Sequence, residues 1–281
     1  MRIDEVMVPA SLGEALAALK RNPGALLCAG GTEIFSEAPA GRSQRPRTLI
    51  SLHSLPELRH VSRTDHYVEV GSMTTLSELL TLKEGFLPET LRGAVLRIGT
   101  PAVRNLATLG GNLSVPDRFR DCFPILACMD ALAEYRQGTM ARWVNLNRLI
   151  GVDGIPTPPR GELLTRIRIP LGDWDLGIAH KQGFPRINSR DSGLFVVLAR
   201  AEKRVLSDIR IMYVFGRAVR NREIEASLAG KKIPLSSRDT ESAINAYSSY
   251  CAQMEVPESS TARFLALVRR AFKQLNEGGP L

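Results

Sequence analysis

Cysteine and histidine are scarce in this chain, with four of each among 281 residues. Cys28, Cys122, Cys128 and Cys251 stand apart and form no CxxC pair. Zinc and iron–sulfur centres draw on clusters of such ligands, so no metal site is expected within the chain. The four thiols are read as buried small hydrophobes. Long apolar runs are also missing: no segment reaches the roughly 18 uncharged residues of a membrane-spanning helix. The opening Met1-Arg2-Ile3-Asp4-Glu5 places acids where a signal peptide has its apolar stretch, so a cytoplasmic protein is expected. Aromatic residues make up 6%, and the Lys and Arg behind the net charge of +8 are dispersed. Without basic–aromatic interleaving, that charge excludes nucleic-acid binding and suits a solvated surface or a face toward an acidic partner protein. The G-x-S-x-G elbow, the H-E-x-x-H pair and any close Cys/His pair are absent. No catalytic residue is therefore assigned, and a ligand that brings its own reactivity is the natural inference.

What is present is a regular alternation of elements. Ser11 and Glu14 stand at capping-box spacing, and Leu12, Ala15, Leu16 and Leu19 share a face, which predicts a helix over 11–20. Residues 25–28 and 48–52 read as short strands with a glycine loop and a helical stretch between them, a small βαβ unit. A second region begins near Leu58, with a strand at 67–70, a helix opened by Thr75 and Glu78, and helices over 88–97 and 122–132. Leu163, Thr165, Ile167 and Ile169 alternate with Leu164, Arg166 and Arg168, a strand half exposed to solvent. Residues 151–161 form a Pro/Gly-rich loop, and 172–190 are polar and turn-rich. Strands at 194–199 and 209–215 then precede helices at about 220–229, 237–252 and 259–276. Strands followed by grouped helices indicate an α+β fold rather than a doubly wound sheet. Trp143 and Trp174 are assigned to packing.

Two glycine loops carry the functional signal: Ala29-Gly30-Gly31-Thr32-Glu33 and Thr108-Leu109-Gly110-Gly111-Asn112. Gly-Gly steps turn sharply and bring N–H groups close to a ligand, forming a concavity suited to phosphate. A P-loop needs Lys-Ser/Thr after its last glycine, and the dinucleotide fingerprint needs G-x-G-x-x-G. Thr32-Glu33 satisfies neither, which excludes both readings for the first loop.

Leu27-Cys28-Ala29-Gly30-Gly31-Thr32-Glu33-Ile34, followed by the segment from Ile98 through Thr100, Arg104, Thr108, Gly110 and Gly111 to Leu113, resembles the FAD-binding subunit of molybdenum hydroxylases. That family includes the carbon monoxide dehydrogenase medium subunit and the flavin segment of xanthine dehydrogenase. Asp121 beside Pro124, the segment from Glu162 to Pro170, and the stretch from Lys181 to Asp191 extend the likeness over most of the chain. The resemblance implies a vanillyl-alcohol-oxidase (PCMH-type) FAD fold over residues 1–171, as two α+β subdomains of about 1–57 and 58–171. A C-terminal α+β domain, an antiparallel sheet with helices, would occupy 172–281. It further implies that Leu27, Cys28, Ala29, Gly30, Gly31, Thr32, Glu33 and Ile34 wrap the FAD pyrophosphate. Thr108, Gly110 and Gly111 would approach from the other side, with Asn112 in support. Ile98 and Leu164 would pack near the rings, with Thr100 among the contacts and Lys181 at the cofactor's polar edge. Asp121 would accept from a sugar hydroxyl, cap the following helix, or do both.

The chain departs from the family where Val115-Pro116-Asp117-Arg118-Phe119-Arg120 replaces small residues; Arg118 and Arg120 would meet phosphate or solvent. FAD, held non-covalently, is the only cofactor expected here. Molybdopterin and 2Fe-2S clusters would belong to a large and a small partner subunit, in a dimer of heterotrimers. Electrons would pass from those clusters through FAD to an external acceptor. A stand-alone flavin oxidoreductase and a flavin-free assembly subunit are the competing readings.

Overall fold

The first helix forms as its sequence dictates: the Glu14 N–H donates to Ser11 Oγ at 3.2 Å, and the Glu14 carboxylate accepts from the Ala10 N–H at 2.8 Å. The computed structural model describes residues 3–34, 48–116, 119–183 and 193–278. They fall into two units, divided between Leu171 and Gly172.

In the first unit, β1 (Glu5–Met7), β2 (Leu26–Cys28) and β3 (Thr48–Ser51) make a parallel sheet in the order β1-β3-β2. The helix α1 (Leu12–Arg21) turns Ala15, Leu16, Ala18 and Leu19 into a core shared with Ile50, Leu52, Leu55 and Leu58. The helical stretch expected between the first glycine loop and β3 lies outside the described residues.

A five-stranded antiparallel sheet completes this unit. Its strands β4 (Val61–Arg63), β5 (Tyr67–Gly71), β6 (Leu132–Gln137), β7 (Met140–Asn145) and β8 (Leu163–Pro170) run in the order β4-β5-β8-β6-β7. The strand read as half exposed is central. Its Arg166 and Arg168 do not simply face water, because they are cross-strand neighbours of acids: Glu134 opposite Arg166 and Glu69 opposite Arg168. Arg166 grips Glu134 with two donors, at 3.0 and 2.6 Å, and reaches Glu69 at 3.0 Å. The Arg168 guanidinium lies 4.3 Å from the Tyr67 ring centre and 4.4 Å from that of Trp143. Trp143 thus packs, as assigned, but against cations. Burial of the Glu134 carboxyl works to raise its pKa; hydrogen bonds from Arg166, Thr165 and Arg136 outweigh it and hold the group at about 2.

Between β5 and β6 lie α2 (Leu76–Thr81), α3 (Glu89–Val95), α4 (Pro101–Leu106), α5 (Leu109–Leu113) and α6 (Cys122–Cys128). Thr75 and Glu78 form a reciprocal capping box at the start of α2, with bonds of 3.1 and 2.7 Å. Thr75→Ala removes one half of it and is expected to cost about 1 kcal/mol, lowering Tm by roughly 2–4 °C in calorimetry. Helix α6 is shorter than the 122–132 expected. Asp130 adopts a positive φ of 55°, which ends the helix and turns the chain into β6.

The second unit pairs β9 (Leu176–Gln182), β10 (Gly193–Glu202), β11 (Val205–Phe215) and β12 (Arg217–Val219) antiparallel, in the order β12-β11-β10-β9. Part of the stretch read as turn-rich is therefore strand β9, which pairs with β10 along its length and turns Leu176 and Ile178 onto the core. Helices α7 (Arg222–Leu228), α8 (Ser237–Gln253) and α9 (Glu258–Asn276) cover one face. Phe264 of α9 stacks on Tyr213 at 5.4 Å and meets the Tyr247 ring edge-on at 5.2 Å. Both units mix helices with antiparallel sheet, an α+β architecture. Among the described residues, no helix is long and apolar enough to cross a membrane, and no group of three His, Cys, Asp or Glu is arranged to hold a metal. Cys122, Cys128 and Cys251 are buried free thiols, while Cys28 is half-buried, which raises its pKa.

Candidate cofactor site

The two glycine loops meet in space. A Cβ added to Gly30 would fall 1.7 Å from the Leu106 carbonyl oxygen and 2.5 Å from its carbon. Gly30 is thus required by direct packing of the first loop onto the Leu106–Ala107 peptide at the end of α4. Gly31, with φ of 71°, turns the loop at an angle that residues with a Cβ rarely adopt. On the other side, a Cβ on Gly111 would lie 3.7 Å from that of Ala29.

The second loop is not a loop in its own right. Residues 101–113 form two short helices, each begun by a threonine: Thr100 accepts from the Val103 N–H at 3.3 Å and Thr108 from the Gly111 N–H at 3.0 Å. Leu109 N–H donates to the Thr74 carbonyl at 3.0 Å and Gly110 N–H to that of Ser72 at 2.9 Å. Asn112 N–H bonds the Thr108 carbonyl at 3.0 Å. The amides of Leu109, Gly110, Gly111 and Asn112 are thus satisfied within the protein. Gly110 is pressed so closely on β5's continuation that a Cβ would lie 2.6 Å from that of Ser72.

The first loop differs. Among the described residues, the N–H groups of Gly30, Gly31 and Thr32 donate to no protein atom. Three consecutive amides without partners, on half-buried residues at the junction of two loops, form a place for an anion.

Around this junction the other expected residues have definite positions. Leu27 and Cys28 end β2, and Ala29 to Ile34 follow it. Asn112 Oδ1 accepts from the Cys122 N–H at 3.1 Å and so sets the start of α6. Asp121 occupies the preceding position, buried, and its carboxylate makes no cap bond to the helix. Of its two readings, the capping one is thus taken over by Asn112. Ile98 and Leu164 are buried, and the turn bearing Ile98 is tied by Arg104 Nη1, which donates to the carbonyls of Ile98 at 3.0 Å and Gly99 at 3.1 Å. Lys181 lies in the other unit, on β9 opposite Leu194. Arg118 lies outside the described residues. Arg120 is buried, and its guanidinium is ion-paired with Glu33.

Sequence reasoning missed Leu106, Ser72 and the Arg120–Glu33 pair. The first two act through main-chain atoms and carry no residue-type signal. The pair joins positions 87 apart, beyond any local pattern.

Comparison with known proteins decides the family. A family model described as the FAD binding domain in molybdopterin dehydrogenase matches residues 2–172. The chain belongs to that family. The xanthine dehydrogenase FAD-binding subunit of Escherichia coli O157:H7 is 30% identical over 164 residues, 57% of this chain and 56% of that one. The chain thus spans little more than half of that relative's length. The glyceraldehyde dehydrogenase medium chain of Sulfolobus acidocaldarius is 25% identical over 227 residues, 79% of this chain and 80% of that one. A carbon monoxide dehydrogenase structure from Hydrogenophaga pseudoflava superposes with a TM-score of 0.81 at 22% identity, covering 99% of this chain and 97% of that one. At that identity the likeness speaks for the fold, which is the PCMH-type FAD fold read from the sequence.

Proposed function

We propose that this chain is the FAD-binding, electron-transfer subunit of a multi-subunit molybdenum hydroxylase of the xanthine, carbon monoxide or aromatic dehydrogenase type, and so part of an oxidoreductase. The observation that carries the reading is the row of unpartnered amides at Gly30, Gly31 and Thr32, held where the two glycine loops meet. A diphosphate fits that cradle: its oxygens accept hydrogen bonds only, and the glycines leave the approach free of Cβ atoms.

In this proposal residues 1–171 form the FAD domain and 172–281 a C-terminal domain. Leu27 to Ile34 wrap the pyrophosphate through main-chain donors. The helix begun by Thr108 supports that loop from behind, because its own amides are satisfied internally. Asn112 fixes the start of α6 and with it Asp121, whose carboxylate accepts from a sugar hydroxyl. Ile98 and Leu164 offer apolar surface to the rings, beside Thr100, and Lys181 reaches the cofactor's polar edge. When bound, FAD would supply the redox chemistry that links an electron source outside this chain to an external acceptor. The chain's own residues bind and orient it, and none serves as acid, base or nucleophile.

Molybdopterin and 2Fe-2S clusters belong, in this proposal, to a large and a small partner subunit, arranged as a dimer of heterotrimers. The relatives, an FAD-binding subunit and a medium chain by name, support a place in such an assembly. The test is the visible spectrum of the natively purified chain, followed by FAD titration. Flavin bands, or uptake of one FAD per chain, are expected. Absence of both would contradict the proposal and favour a flavin-free assembly subunit, whereas substrate turnover without partners would favour a stand-alone oxidoreductase.

A further inference from the structure

Arg120 precedes Asp121 and α6, while Glu33 closes the first glycine loop, and the two are joined side chain to side chain. We propose that this ion pair is a latch that fixes the first loop in its anion-accepting shape, so that Arg120 serves FAD through Glu33 and does not itself bind phosphate. The inference rests on the FAD reading given above and adds to it a positioning residue.

Three features carry it. The Arg120 side chain is only 8% exposed, against 32% for Glu33. A guanidinium that far from water needs a standing anionic partner, and Glu33 provides it. The segment bearing Arg120 is itself firmly held: the Phe123 N–H donates to its carbonyl at 3.0 Å, Phe119 and Phe123 meet edge-on at 5.0 Å, and Asn112 secures the adjoining Cys122 N–H. The first loop, by contrast, has no hydrogen bonds from Gly30, Gly31 or Thr32 to fix the direction of those amides. Its orientation comes from outside, from the Gly30–Leu106 contact on one side and from Glu33 on the other. Because Glu33 neutralises Arg120, the pair offers a diphosphate little net attraction; its effect is on the direction of the amides.

The test uses the full chain with Glu33→Gln, Arg120→Gln, Arg120→Lys and the double variant Glu33→Gln/Arg120→Gln. FAD affinity is read by flavin fluorescence. Without FAD, the rate at which a neutral thiol reagent modifies Cys28 reports on the loop, since the other three cysteines are buried. The latch predicts that each Gln variant binds FAD about tenfold or more weakly and exposes Cys28 faster. The double variant should be no worse than the worse single one, and Arg120→Lys should recover part of the loss. Tighter FAD binding by Glu33→Gln would make Glu33 a competitor of phosphate and overturn the latch. Additive losses in the double variant, or Cys28 rates unmoved in every variant, would overturn it as well. If the wild-type chain takes up no FAD, the FAD reading falls, and the Cys28 rates alone decide the latch.

Discussion

Gly30→Ala yields a chain that purifies colourless and binds added FAD at least about a hundredfold more weakly than wild type. The added methyl group would sit 1.7 Å from the Leu106 carbonyl oxygen, far inside contact distance. The opposing atom is main chain, anchored by the Ala107 N–H to Val103 carbonyl bond of 2.7 Å, so it cannot swing aside as a side chain would. The first loop must lift, and its three free amides lift with it. Displacements of about 1 Å in a binding constellation carry losses of this order. Gly111→Ala is the control. There the methyl meets only the Thr108 hydroxyl, at 3.0 Å, and Ala29 Cβ at 3.7 Å, so a small adjustment suffices and most FAD affinity remains. Visible absorbance of the purified variants and fluorescence titration distinguish them. Equal flavin content in Gly30→Ala and wild type would refute the close packing of the loops.

Glu134→Gln should destabilise the first unit by about 3 kcal/mol, seen as a lower denaturation midpoint. The substitution keeps the shape but removes the charge that Arg166, Arg136 and Thr165 converge upon. The pH dependence follows from the same group. Its folded pKa of about 2 lies below the ordinary value of 4.5, so its stabilisation is complete above pH 4.5 and is lost as pH falls through about 2. Wild type should therefore lose more stability than Glu134→Gln between those limits. Parallel curves for the two proteins in acid denaturation would contradict the assignment.

The fold was legible where local signals agree with their surroundings. Ser11, Thr75 and the apolar face of α1 form in the structure what their spacing predicts. The α+β class followed from the order of elements, and the resemblance carried the FAD fold. Errors arose where tertiary contacts override local pattern. β9 carries Gly177 and the polar run His180-Lys181-Gln182, and it is a strand because β10 pairs with it and Leu176 and Ile178 pack on the core. The Gly110-Gly111 stretch reads as a loop, yet Thr108 caps it into a helix. Arg166 and Arg168 read as solvent-facing because alternation reports a face and not what lies across from it; Glu69 and Glu134 come from other strands. In the site, both glycine loops were legible, but their division of labour was not. The sequence makes them look equivalent, whereas the hydrogen bonds leave three consecutive free amides in the first and bond those of Leu109 to Asn112 in the second.

On the FAD reading, the amides of Gly30, Gly31 and Thr32 receive the cofactor's diphosphate. Amide chemical shifts and hydrogen-exchange rates of these three residues, measured in the chain with and without FAD, test it directly. Large shifts and slowed exchange at all three, with Leu109, Gly110 and Asn112 little changed because they are already bonded, are the expected result. Unchanged signals at Gly30, Gly31 and Thr32 in a chain saturated with FAD would contradict it.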